Sequence, residues 1–135
     1  LTALSLECGY QASSIRERIY CAPSDGDGLP MAGVLLSTGT PGSEGTLGGL
    51  VAQGRILKHH LRRALMLGSL CSNDPVCASH NPVEDHTDRN LDGAACHGCL
   101  YISENSCEWF NRHLDRALVV PCIGQDHWLA YFQAP

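Results

Sequence analysis

Residues 71–107 read CSNDPVC, ASHNPVEDHTDRNLDGAA, CHGC and LYISENSC, and they hold five of the eight cysteines in the chain. Cys96-His97-Gly98-Cys99 is a C-x-x-C, a spacing at which two thiolates can curl around one metal ion. Zinc in a structural site takes four such ligands in a tetrahedron. Cys71 and Cys77 offer candidates from upstream, and Cys107 another from downstream. A secreted disulfide scaffold would spread its bridges along the chain. Clustering around a C-x-x-C points instead to Zn2+ and to a reducing compartment. Cys8, Cys21 and Cys122 lie outside the cluster and read as small apolar residues. His80 follows Cys77 at C-x-x-H spacing and is a reserve ligand. His80 and His86 both sit in a polar, acidic insertion from Ser79 to Asp92 that has no period.

The chain has 135 residues and a mass of 14.5 kDa, enough for one small domain with a modest core. A net charge of −5 argues against a generic polyanion binder, although a local basic patch can still meet nucleic acid. No segment has the apolar length of a membrane span, and no basic region precedes a signal-like core. Leu1 at the start and the apolar run Trp128–Phe132 near the end lead us to expect a piece of a larger protein.

The spacing of Leu1, Leu4 and Cys8 predicts a helix that stops at Gly9. Ile15–Cys21 alternates, with Ile15, Glu17, Ile19 and Cys21 on one face, and reads as a strand. Residues 23–30 are a turn by composition; the Asp-Gly-Asp-Gly within them lacks the Glu that completes a calcium loop. Met31–Ser37 is a short apolar run that reads as a buried strand, and the two pair as a hairpin. A glycine-rich loop over 39–49 follows, neither a Walker loop nor G-x-G-x-x-G; Glu44 in it has no partner in sequence. From Leu47 to Leu70 the period is helical, with Leu47, Leu50, Gly54, Leu57, Leu61, Ala64 and Gly68 on an apolar face. Arg55, Lys58, His59, Arg62 and Arg63 gather opposite, a solvated face or a nucleic-acid or partner contact. Asn105 reads as the N-cap of a C-terminal helix that carries Cys107, Phe110, Leu114 and Ala117. A thiolate in its first turn is favoured by the macrodipole. Leu118–Val120 is a candidate third strand. The class is therefore α+β: a short sheet packed on a long helix and a C-terminal helix, one domain over residues 1–135 with its metal loop at 71–107.

Several of these runs resemble a known family. Ala95-Cys96-His97-Gly98-Cys99, Asn105-Ser106-Cys107, Asn111 and Leu114-Asp115-Arg116 are similar to the end of the helicase-associated zinc-binding domain of MrfA-type bacterial repair helicases. That family has GCPSC, then PKC, an Asn, and LD with a basic residue; its strand, PGG-x-G loop and helix resemble Val34–Leu36 leading into Pro41–Gly45. ECGY, IRERIY, STGTPGSEGTLGGLV, CSNDPVC, GAACHGCL and SCEWFNRHLDRAL are closer still to the DrmB subfamily of the DISARM anti-phage defence system. The resemblance covers Glu7 to about Pro121. It implies Cys96, Cys99 and Cys107 as metal ligands. The fourth comes from the upstream pair, with Cys77 favoured by the adjacent Asp-Pro turn and Cys71 as the alternate. Ala95-Cys96-His97 in place of GCP, and the Ser79–Asp92 insertion, depart from the helicase form.

The resemblance further implies a helicase subunit, DrmA-like, as partner and DNA as a target, direct or indirect. With no Walker motif, the chain is expected to be a structural zinc module and no enzyme by itself. A zinc deaminase would show H-x-E followed by P-C-x-x-C, and neither is present. The alternatives are a zinc-dependent or cysteine-dependent hydrolase, which needs an open coordination position, and a dithiol redox module built on Cys96 and Cys99.

Overall fold

The computed structural model describes residues 1–22, 30–38, 49–79, 93–124 and 129–133. The turn at 23–29, most of the glycine-rich loop with Glu44, the start of the long helix at Leu47, and His80 and His86 lie outside the described residues.

The fold is α+β, as the sequence leads one to expect. Helix α1 (Thr2–Cys8) buries Ala3 and Leu4 and ends at Gly9, whose φ of 71° is the left-handed cap that a glycine accepts without Cβ strain. Strands β1 (Ile15–Ala22) and β2 (Met31–Thr38) pair antiparallel, with Ile15 opposite Thr38 and Ala22 opposite Met31. The root of the hairpin is anchored by Ile15, which is fully buried, while its far end stands in solvent.

The long helix is two. Helix α2 (Gly49–Gln53) passes through a 3₁₀ turn (Gly54–Ile56) into α3 (Leu57–Ser69), which packs on α1. The Gln53 side chain spans the break to Nε2 of His60 (2.9 Å), and His60 is the buried residue of α3. The expected apolar stripe does not face a core among the described residues. Leu57 and Leu61 are 50% and 54% exposed. Helical period shows that a face is apolar; it does not show what covers it.

The C-terminal helix expected from Asn105 is not formed among the described residues. The chain instead makes successive tight turns, with Ser106 N–H bonding to Ser103 O, Phe110 to Cys107 O and Arg112 to Trp109 O. Phe110, Asn111 and His113 have φ of 52°, 60° and 62°, values no right-handed helix tolerates. The physical cause is competition for partners. The Asn111 amide accepts from Ile102 N–H (3.1 Å) and donates to Ile102 O (2.7 Å). Ser106 and Glu108 are committed to the free edge of β1: Glu17 N–H donates to Ser106 O and Ile19 N–H to the Glu108 carboxylate. Residues 106–108 thus occupy the place of a third strand, whereas Leu118–Val120, the candidate for it, belongs to a 3₁₀ turn (Arg116–Leu118) and its exit. Asn111→Ala should cost about 2 kcal/mol, from two broken hydrogen bonds and a left-handed position that alanine disfavours; urea denaturation of the zinc-loaded protein measures it.

Beside the cysteine loop the core is made of small residues. Ala78, Ala94, Ala117 and Cys122 form the buried cluster there. Such side chains contribute little apolar area each, so packing alone stabilises this half of the fold weakly.

Candidate metal centre

Two turns face each other across the alanine core. The first, Cys71–Cys77, leaves the end of α3. Asp74 N–H donates to Cys71 O (3.0 Å), Cys77 N–H to Asn73 O (3.0 Å), and the Asp74 carboxylate takes Cys71 N–H (2.9 Å). The second is the C-x-x-C, in which Cys99 and Tyr101 N–H groups share Cys96 O (3.0 and 3.1 Å). Both turns point their sulfurs inward. Sγ–Sγ distances are 3.4 Å for Cys71–Cys96, 3.7 Å for Cys77–Cys99 and 3.8 Å for Cys96–Cys99. All four sulfurs lie within 4.8 Å of one another.

A tetrahedron with Zn–S bonds of ~2.3 Å has S···S edges of about 3.8 Å. The four thiols stand at that spacing, so the residues present fit a zinc ion. Donors around them suit anionic sulfur. Gly98 N–H and the Asn73 amide each point at Cys96 Sγ (3.3 Å), and Asn73 N–H points at Cys71 Sγ (3.4 Å). The turn is tight at Gly98: a Cβ there would stand 3.1 Å from Cys71 Sγ and 2.7 Å from Ser72 Oγ, the rotatable end of an exposed side chain.

The electrostatics divide the thiols. Burial raises the Cys96 pKa, but hydrogen bonds from Asn73, Cys71, Gly98 and Cys77 outweigh it and hold the group down at about 6. Burial pushes the Cys77 thiol up, and its neighbours Cys96 and Cys99 push it further. Burial also raises Cys99. Without a cation the cluster resists carrying several negative charges at once; a divalent ion removes that resistance.

The structure brings together Cys71, Cys77, Cys96 and Cys99, and it does not bring Cys107 to them. That revises the expectation of Cys107 as a ligand with Cys71 held in reserve. Cys107 follows Ser106, which is fastened to β1, and its buried side chain lines a cavity of about 580 Å³ with Ile19, Leu67 and Trp109. The His97 ring meets Tyr101 edge-on (5.2 Å) and is not in the sulfur group. Arg55, Lys58, Arg62 and Arg63 are all exposed and have no ion-pair partner among the described residues; His59 between them reaches Glu7 (3.7 Å).

Sequence reasoning missed the clamp around the centre. Asp115 Oδ1 accepts from Ala94 N–H (3.1 Å) and Ala117 N–H (2.9 Å), while Gly93 N–H donates to Leu114 O (2.9 Å). Arg116, fully buried, forms an ion pair with Asp74 inside the first cysteine turn. The Leu114-Asp115-Arg116 run carried the signal, but only as part of a resemblance.

Two cysteine turns closing a tetrahedral cage in a small α+β fold define a zinc-binding domain. The chain belongs to the MrfA Zn-binding domain family, matched over residues 1–100, a span that contains all four sulfurs of the cage. It is also 49% identical over 122 residues to the DISARM protein DrmB of Bacillus paralicheniformis, covering 89% of this chain. The chain spans 20% of that relative's length. Zinc is the cofactor of this domain. Among the described residues no helix is long and apolar enough to cross a membrane.

Proposed function

We propose that the protein is a structural zinc module, one domain of a longer polypeptide, that serves as a rigid docking block in a helicase-associated, DISARM-like defence assembly in the bacterial cytoplasm. One observation carries this reading: Cys71, Cys77, Cys96 and Cys99 present four sulfurs at tetrahedral spacing. Four protein ligands leave zinc no open position, so the ion would hold the two turns together and activate no water. That is why we assign the domain no catalysis of its own. Exposed apolar side chains support docking. Val34 and Leu35 on the hairpin and Leu57 and Leu61 on α3 are each at least half exposed, apolar surface that a docked partner would cover. The partner we propose is a DrmA-like helicase subunit.

DNA is the second partner in this reading, met through Arg55, Lys58, Arg62 and Arg63. Replacing all four with Gln should weaken duplex binding by the zinc-loaded protein on the order of a hundredfold at low salt. The slope of log affinity against log salt should flatten by about 0.9 for each phosphate that is no longer neutralised. Fluorescence anisotropy with a labelled duplex at several salt concentrations reads both. Unchanged affinity and slope would remove DNA from the proposal. The docking role is tested separately, by whether the helicase subunit co-purifies with the zinc-loaded protein and dissociates on chelation.

A further inference from the structure

Arg116 is fully buried, and its guanidinium is split between two tasks. One Nη forms the ion pair with Asp74, itself only 8% exposed; the other donates to Gly68 O (3.3 Å) in the last turn of α3. Arg116 N–H donates to Ala94 O (3.1 Å), two residues before Cys96. The Asp74 oxygen not held by Arg116 takes Cys71 N–H (2.9 Å). One residue therefore touches the first cysteine turn, the helix that delivers it, and the segment that delivers the second turn.

We propose that Arg116, acting through Asp74, is the positioning residue of the zinc site: it sets the Cys71/Cys77 turn in register with the Cys96/Cys99 turn, though it does not bind the ion. This rests on the four-sulfur reading above. A burial this complete costs desolvation of the guanidinium, and an unpaired buried charge costs more than the pair returns. The pair is therefore weak evidence of simple stability; its geometry is that of a register device. Groups that orient metal ligands are worth 10–100-fold in metal affinity when removed.

The test compares Arg116→Met, Arg116→Lys and Asp74→Asn with the parent protein. Zinc affinity is measured by competition with a chelator of known strength, and sulfur number by the absorption of the cobalt(II)-substituted protein. Arg116→Met should bind zinc 10–100-fold more weakly while its cobalt spectrum at saturation still shows four thiolates. Arg116→Lys should recover part of the loss, because an ammonium reaches Asp74 or Gly68 O but not both. Should Arg116→Met fail to fold, Asp74→Asn decides: it keeps an acceptor for Cys71 N–H, loses the charge, and should bind zinc about tenfold more weakly. Wild-type zinc affinity in Arg116→Met, or in Asp74→Asn where that variant decides, would overturn the proposal. A parent cobalt spectrum with fewer than four thiolates would instead overturn the ligand assignment.

Discussion

Stripping zinc with a strong chelator should unfold the half of the protein from Cys71 to Cys122, and restoring zinc should refold it. The reason is the imbalance between core and cage. The packed cluster beside the site is Ala78, Ala94, Ala117 and Cys122, and such small side chains bring little hydrophobic stabilisation. A four-thiolate zinc site supplies an apparent ~10–16 kcal/mol at neutral pH, as much as the whole stability of an ordinary domain, about 5–15 kcal/mol. Near-ultraviolet circular dichroism should lose its fixed aromatic signal on chelation. Acid should act in the same direction, because every ligand sulfur must shed a proton to bind and falling pH returns protons to the thiolates. Serine variants locate the effect: replacing Cys71, Cys77, Cys96 or Cys99 should each lower the bound zinc found by elemental analysis, whereas Cys107→Ser should leave it at the parental level. A metal-free protein with its full tertiary signal, or a Cys107→Ser protein without zinc, would contradict the cage as drawn.

That contrast between Cys71 and Cys107 marks where the sequence stops being readable. The C-x-x-C is a local motif, and its turn follows from the spacing of Cys96 and Cys99 alone. Gly9 as a helix stop and a strand from Ile15 are equally local, and both occur in the structure where the residues place them, although Ile19 and Cys21 on the expected inner face are exposed. The meeting of Cys71 and Cys77 with Cys96 and Cys99 is not local. It crosses a segment of acidic, aperiodic chain, and its geometry is fixed by Asp74, Arg116 and Ala94, which no spacing rule links. Cys107 lies nearer the C-x-x-C in sequence, and the capping pattern at Asn105 predicts a helix around it. The Asn111 side chain breaks that pattern by bonding both backbone groups of Ile102, a competition invisible without the fold. The stripe on α3 failed differently: Leu57 and Leu61 are helical in period, as expected, and yet face solvent.

The second large effect is expected at Gly93. Its φ lies outside the left-handed region, so space and not backbone freedom demands glycine there. A Cβ would sit 2.0 Å from Asp115 Oδ2, 2.1 Å from its Cγ and 2.5 Å from its Cβ. The whole Asp115 side chain is in the way, not its tip, so Gly93→Ala must swing it aside. Asp115 then drops Ala94 N–H and Ala117 N–H, both on residues with almost no solvent exposure. A buried donor left without a partner costs about 1–3 kcal/mol, so Gly93→Ala should destabilise the zinc-loaded protein by about 3 kcal/mol. Asp115→Ala breaks the same two bonds and should cost a similar amount. The double variant should be no worse than either single one, since with Asp115 gone the new methyl has nothing to displace. Urea denaturation of all four proteins with zinc in excess closes the cycle. Additive losses would mean that Gly93 and Asp115 act separately, and that the clamp from Leu114-Asp115-Arg116 onto the segment before Cys96 is not what keeps the second cysteine turn in place.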